Sequence, residues 1–232
     1  SIAHARSVIF KPNLTEYKNF NLRNGGNDYD GSRMRDAFMQ RLTKGTHNDY
    51  MGYSPVIVFL NGEYFGEYEL REVLNKHYVE SNYGYNSDSV TVITENYLDG
   101  LDPNDGTLDN FWPMYNAVAN GDAASPTYYE TANSYIDLEN FIDYIAAETY
   151  YGNGDWSNGY PNNIKFWNFP GEKWRMMLMD LDFGYGLYGA TANDNFLNHT
   201  TNNANVYLDN ICTKLYANQA FKNYFIDRYA DL

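Results

Sequence analysis

The clearest pattern along the chain is a pair of β-rich runs, Val56 to Leu60 and Glu63 to Leu70, joined by Asn61-Gly62. That dipeptide best tolerates the two positive φ values of a type I′ turn, so the segment predicts a hairpin. Strict alternation places Tyr64, Gly66, Tyr68 and Leu70 on one face of the second strand and Phe65, Glu67 and Glu69 on the other. Upstream, Val8 to Phe10 and Tyr17 to Arg23 read as short strands around a Pro12-Asn13 turn, and Asn24-Gly25-Gly26-Asn27-Asp28 reads as a loop. Ser32 is placed to cap a helix running to Thr43, with Met34, Phe38, Met39 and Leu42 on one face and Gly45 ending it.

Helical spacing recurs further on. It predicts helices over Leu74 to Asn82, Phe111 to Ala119 and Asp137 to Tyr151, the last with a stripe of Leu138, Phe141, Ile142, Ile145, Ala146 and Tyr150. Gly152-Asn153-Gly154 stops that helix and opens a polar loop through Asn163. A second hairpin follows, Ile164 to Phe169 and Trp174 to Met179 around Pro170-Gly171-Glu172-Lys173, and its second strand runs into Asp180-Leu181-Asp182-Phe183-Gly184. Residues 99–110 read as a polar connection, residues 186–205 as a Gly/Asn-rich loop, and Tyr207 to Leu232 as helical. Strands first and helices later give an α+β class, a small β-rich lobe followed by a mainly helical one.

Composition narrows the classes. The 232 residues suit one large domain or two small lobes, and 41 aromatic residues can bury ample area, which argues against disorder. Cys212 alone rules out an internal disulfide, and no Cys/His spacing resembles a zinc site. Apolar runs of about five residues fall far short of the roughly 18 of a membrane span. The net charge of −14 disfavours non-specific nucleic-acid binding. That charge is uneven: residues 1–44 hold eight basic against four acidic side chains, the remainder eight against 26. The start, Ser1-Ile2-Ala3-His4, is no signal segment, while Asn and Tyr usage suits a secreted or envelope protein, so a signal segment is expected outside this chain. The sequons Asn13-Leu14-Thr15 and Asn198-His199-Thr200 matter only in a eukaryotic secretory pathway.

Candidate chemistry concentrates late in the chain. The order is a helix, a loop carrying Asp155, the pair Asn162/Asn163, a hairpin, then Asp180-Leu181-Asp182-Phe183-Gly184. Phosphoryl transfer to a hydroxyl needs a carboxylate to orient and deprotonate the nucleophile, plus Mg²⁺ held by an Asn and an Asp against nucleotide phosphates. Asp180 and Asp182 stand two apart on the expected strand, so both carboxylates face one way and suit one or two shared cations. The carboxylates of residues 99–110 lack the spacing of an EF-hand loop and read as a solvated connection.

These residues resemble the CotH-like kinases, atypical secreted or spore-coat protein kinases. Asn21-Leu22-Arg23-Asn24-Gly25-Gly26-Asn27-Asp28 with Arg35-Asp36 is similar to the family's first-lobe signature. Asn61 to Glu72 is similar to its hairpin and hinge, Asn153-Gly154-Asp155-Trp156 with Asn162-Asn163-Ile164-Lys165 to its catalytic loop, and Trp174-Arg175 through Gly184 to its metal-binding strand. The resemblance spans nearly the whole chain. It implies a two-lobed protein-kinase-like fold, with residues 1–72 as the N-lobe and 73–232 as the C-lobe, both expected to continue beyond the ends of this chain. It also implies transfer of the ATP γ-phosphate to Ser or Thr of secreted, coat or envelope proteins, with Mg²⁺ or Mn²⁺. On that mapping Asp155 is the base, and Asp180, Asp182 and Asn163 (or Asn162) hold metal. Arg23 meets nucleotide phosphate, Arg71 and Glu72 lie at the hinge where backbone groups meet adenine, and Arg35 and Asp36 tie the first helix to the site.

Two other classes compete. A cell-surface or polysaccharide-associated interaction module would use the many Tyr and Trp rings for stacking. Glycoside hydrolysis needs two acids roughly 5–10 Å apart across a cleft, and Asp180 and Asp182 on one face suit cation binding better.

Overall fold

A computed structural model describes Leu14 and residues 17–157, 160–201 and 203–232. The expected strand Val8 to Phe10 lies outside the described residues. Among them the strands are β1 (Phe20–Arg23), β2 (Tyr53–Leu60), β3 (Glu63–Glu72), β4 (Thr91–Asn96), β5 (Gly100–Asp105), β6 (Ile164–Asn168) and β7 (Arg175–Met177). The α-helices are α1 (Arg35–Leu42), α2 (Lys76–Tyr83), α3 (Phe111–Val118), α4 (Tyr128–Tyr135), α5 (Leu138–Tyr151), α6 (Tyr207–Ala217) and α7 (Gln219–Asp231). The strands form two antiparallel sheets, ordered β1-β3-β2 and β5-β4-β6-β7. The class is therefore α+β.

The first hairpin turns at Asn61 (φ 52°) and Gly62 (φ 87°), the two positive φ values that Asn-Gly predicts. Its alternation is not strict. Pairing shifts between Val58 and Phe59, and Gly66 takes φ 148°. Phe65 and Tyr68 consequently stack at 5.9 Å, although alternation assigns them opposite faces.

Three boundaries and one burial pattern differ from the expectation for local reasons. The first helix begins at Arg35, because Asp28 claims Ser32: its carboxylate accepts from Ser32 Oγ at 2.5 Å and Ser32 N at 3.2 Å, and also from Arg35 N at 3.2 Å. Residues 99–110 include β5, which pairs with β4 after a turn at Gly100 (φ 68°). It is an edge strand, the part of a sheet where a proline such as Pro103 is tolerated. The last helical stretch is two helices, since Asn218 leaves helical geometry and its side chain caps Phe221 N at 3.0 Å. And α5, expected to bury one stripe, buries 12 of its 14 residues while Tyr150 stays 73% exposed.

That enclosure makes α5 the centre of the main core, where Phe141, Ile142 and Ile145 meet Phe111, Trp174, Ile211 and Phe221. A smaller core packs Leu74, Tyr78, Val79 and Val92 against Trp167 and Met177. Asp49 closes it as a hydrogen-bonded pin, accepting from Trp167 Nε1 at 2.7 Å, Arg175 Nε at 3.1 Å and the Tyr83 hydroxyl. The loop after α5 thus leaves a rigid base, and the same base carries the end of β7.

Candidate functional site

The two halves of the site come from opposite ends of the sequence. From the first, β1 ends at Arg23, and the glycine loop brings Asn27 alongside. From the second, β7 stops at Met177, so the expected strand does not reach the carboxylates. Asp180 sits past its end in the left-handed region, φ 51°, which Asp visits more readily than most residues. Convergence survives by another route. Arg23 Nη2 donates to Asp180 Oδ1 at 2.5 Å and to Asp182 Oδ2 at 2.8 Å. Asn27 N donates to Asp182 Oδ2 at 2.7 Å.

Glycine is required where the two halves meet. Gly26 has φ +59°, and a Cβ there would lie 2.2 Å from Asp182 Oδ2 and 2.3 Å from Arg23 Nη2. Leu181, between the two acids, is fully buried and donates its N–H to Asp36 Oδ1 at 2.8 Å.

Electrostatics follow from this crowding. Burial pushes the Asp180 carboxyl up to about 6; Arg23 opposes the shift and Asp182 adds to it. Burial works against the Arg23 charge, but Asp180, Asp36 and Asp182 outweigh it and hold the guanidinium above its ordinary range. For Asp36 burial is again the largest effect, and Arg71, Arg23 and two hydrogen bonds overcome it to keep the carboxyl below its usual value.

The expected catalytic loop assembles as a local unit. Asn162 Nδ2 donates to Asp155 Oδ2 at 3.0 Å, and Asn163 Nδ2 to the same oxygen at 3.2 Å and to Asp155 O at 3.0 Å. Asn163 reaches back from a left-handed φ of 54°. With both amide nitrogens turned to Asp155, the side-chain carbonyl oxygens of Asn162 and Asn163 are left for other partners. Asn153 joins this loop to the carboxylates, for its Oδ1 accepts from Asp155 N at 3.2 Å while its Nδ2 donates to Asp180 O at 3.3 Å.

Arg71 and Glu72 take different places. Arg71 is 1% exposed, with Nη1 2.7 Å from Asp36 Oδ2 and 3.1 Å from Glu69 Oε2, so its side chain reaches the site through these two carboxylates. Glu72 points the other way and accepts from Gly52 N at 2.6 Å and Asn82 Nδ2 at 3.2 Å. Arg35 bridges α1 to the segment after Asp182, donating from Nη1 to the carbonyls of Gly184 and Tyr185, each at 3.0 Å. A cavity of about 260 Å³ opens beside Arg23, with Tyr53, Glu67 and Glu69 in its wall. Larger hollows of about 330 and 600 Å³ include none of Asp155, Asp180 or Asp182.

Sequence reasoning places Asn27 and Glu69 in family motifs without a role of their own, and misses Gln40 and Glu148. Gln40 donates to Asp36 Oδ1 at 2.9 Å, one helical turn on, a spacing that could have drawn notice. Glu148 lies on the face of Phe141 and Ile145, where a lone acid in an apolar stripe is itself a signal. Asn27 acts mainly through its backbone N–H, which composition does not reveal.

Among the described residues no cluster of three or more His, Cys, Asp or Glu side chains could hold a metal ion. The carboxylate oxygens of Asp180 and Asp182 and the amide oxygens of Asn162 and Asn163 are hard donors, the type that Mg²⁺ and Mn²⁺ take. No helix among the described residues is long and apolar enough to cross a membrane.

No curated protein matches the chain. The family model for the CotH kinase protein matches residues 6–232, which takes in both halves of the site and every element between them. The chain therefore belongs to the CotH kinase protein family, a family of kinase-type enzymes.

Proposed function

We propose that the chain is a protein kinase that transfers the ATP γ-phosphate to a Ser or Thr hydroxyl of secreted, coat or envelope proteins, with Mg²⁺ or Mn²⁺. Its N-lobe is residues 1–72 and its C-lobe residues 73–232. The observation that carries this reading is the convergence of Asp180 and Asp182 on Arg23, with Asn153 linking them to the Asp155 loop.

Asp155 orients the attacking hydroxyl and takes its proton as the new P–O bond forms and the bond to ADP breaks. Asn162 and Asn163 both donate to Oδ2, which fixes the carboxylate plane and leaves Oδ1 for the hydroxyl. Asp180, Asp182 and the carbonyl oxygens of Asn162 and Asn163 would hold the divalent cation. When bound, that cation neutralises phosphate charge and aligns the β- and γ-phosphates. Arg23 supplies a permanent positive charge. Its Nε is buried with no hydrogen-bond partner among the described residues, an unmet donor suited to a phosphate oxygen. Backbone groups around Arg71 and Glu72 meet the adenine, while the Arg71 side chain braces α1.

Thermal denaturation with and without ATP and Mg²⁺ or Mn²⁺ tests the reading. At about 100 times its dissociation constant, nucleotide stabilises by about 2.7 kcal/mol, a Tm rise of roughly 5–10 °C for a chain of this size. No rise with either metal sinks the kinase reading. Mass spectrometry of secreted proteins incubated with the chain and ATP identifies the acceptor.

One observation favours a second activity beside this one. The first hairpin exposes Ile57, Phe59, Leu60, Tyr64 and Phe65, each between 57% and 64%. So many apolar side chains on one ribbon suit an interaction module of the cell surface, and the hairpin would dock the partner. Charged replacements at Phe59 and Phe65 would abolish partner capture and leave the nucleotide-dependent Tm rise intact.

A further inference from the structure

We propose that Glu148 is a positioning residue: it fixes the orientation of the Asn153 amide, and through that amide keys Asp155 to Asp180. The inference rests on the kinase reading for what the alignment is used for, and on geometry alone for the alignment itself.

Glu148 lies at the end of α5 with no exposed surface. Four residues on, Gly152 takes φ 64° and closes the helix. This turn returns the chain, so Asn153 N donates to Glu148 O at 3.1 Å and Asn153 Nδ2 donates to Glu148 Oε2 at 2.8 Å. Asn153 is itself fully buried. An Asn amide has two N–H donors and one carbonyl oxygen, and here every bond it makes depends on which way it faces. Nδ2 serves Glu148 Oε2 and Asp180 O, and Oδ1 serves Asp155 N.

A flipped amide would set its NH₂ against the Asp155 N–H and its carbonyl oxygen against two acceptors. Of the three partners, Asp155 N and Asp180 O belong to the segments that must be aligned, so neither can act as the fixed reference. Glu148 can, because it is carried by α5, the most enclosed helix among the described residues. Its second oxygen, Oε1, has no hydrogen-bond partner among the described residues, and leaving a buried carboxyl oxygen unmet costs stability. Burial also raises the Glu148 carboxyl well above its usual range, and the hydrogen bond from Asn153 opposes that shift. A residue kept only for packing would be better served by Leu or Met at this depth.

The experiment compares Glu148→Gln, Glu148→Met and Asn153→Ala in the full chain. The readouts are Tm, kcat, KM for ATP, and hydrogen exchange at the Asp155 amide. Gln retains the carbonyl oxygen that accepts from Asn153, so it should keep kcat within about threefold of wild type, and keep Asp155 protected. Met fills the space without accepting. It should fold with a Tm at or above wild type, lose Asp155 protection, and lower kcat by roughly 10–100-fold with little change in KM. Glu148→Met/Asn153→Ala should be no slower than Asn153→Ala alone, as one linkage is broken in both. Unchanged Asp155 protection in the Met variant overturns the proposal whether or not the wild type transfers phosphate. So does a double variant whose loss is the product of the two single losses. Absence of phosphate transfer by the wild type would defeat the kinase reading alone, and the exchange data would still decide the role of Glu148.

Discussion

Arg71 and Asp36 form a buried ion pair, Nη1 to Oδ2 at 2.7 Å with both side chains no more than 3% exposed, and it joins β3 to α1 directly beneath the carboxylates. Two Arg71 nitrogens, Nε and Nη2, find no hydrogen-bond partner among the described residues, so the pair is held by charge more than by a full set of bonds. Removing one partner would strand the other. Arg71→Met leaves Asp36 and Glu69 buried without their cation and should cost about 3–5 kcal/mol, read by urea denaturation. A loss below about 1 kcal/mol would mean that Arg23, whose charge already reaches Asp36, takes over.

The roles proposed for Asp155 and Asp182 separate by substitution. Asp155 is held by the Asn162 and Asn163 amides and is proposed as the base, not a metal ligand, so Asp155→Asn should abolish phosphate transfer and keep the metal-ATP Tm rise. Asp182 is buried between Arg23 and the Asn27 N–H, so Asp182→Asn should lose that rise. The reverse pattern would exchange base and ligand.

How much of this was legible depends on how local each cause is. The Asn61-Gly62 turn and the α5 periodicity are written into neighbouring residues, and both elements form. β5 reads as a connection because its Asp, Asn and Pro content hides an edge strand that β4 recruits. α4 was missed because Tyr128–Tyr135 has no continuous apolar stripe; it is anchored by burial of Tyr128 and Ala132 and by the Tyr128 hydroxyl on Val118 O at 2.8 Å. In the site, Asp155 with Asn162 and Asn163 is a local group and was legible. The contact from Asn27 N to Asp182 spans 155 positions and is made by a backbone atom, so no residue type announces it. Asp180 and Asp182 do converge, but not along the strand that their spacing predicts: β7 ends before them, and Asp180 takes a left-handed φ of 51°.

Gly26 offers a sharper test of the contact between the two halves. Gly26→Ala meets both a left-handed φ of +59° and atoms at 2.2 Å and 2.3 Å, so Asp182 or Arg23 must move. Gly62→Ala has φ +87° but nothing within 4 Å, and isolates the backbone strain, about 1 kcal/mol. Both variants should lose stability, and only Gly26→Ala should also lose the nucleotide-dependent Tm rise. Equal nucleotide responses would show that the carboxylates tolerate displacement.

The last prediction concerns pH and lies away from the site. Glu95 on β4 is 1% exposed and accepts from Tyr207 N at 2.6 Å and Leu208 N at 3.2 Å, tying the start of α6 to the second sheet. Burial raises its carboxyl to about 7; the two backbone bonds oppose that shift, and Asp209 adds to it. Because the folded value exceeds the ordinary 4.5 of the unfolded chain, the folded protein binds more protons between these limits. Stability from this group is therefore complete below about pH 4.5 and declines as pH rises through about 7, by about 3 kcal/mol in all. Glu69 and Glu148, also raised by burial, act with the same sign, whereas Asp28, Asp36 and Asp143 are lowered and matter only in stronger acid. Glu95→Gln keeps one acceptor oxygen and cannot titrate. It should be less stable than wild type at pH 5, because its NH₂ faces one of the two backbone donors. By pH 8 the difference should shift in the variant's favour by about 3 kcal/mol, measured by urea titration at each pH. A gap between variant and wild type that stays constant from pH 5 to pH 8 would show that Glu95 does not titrate there.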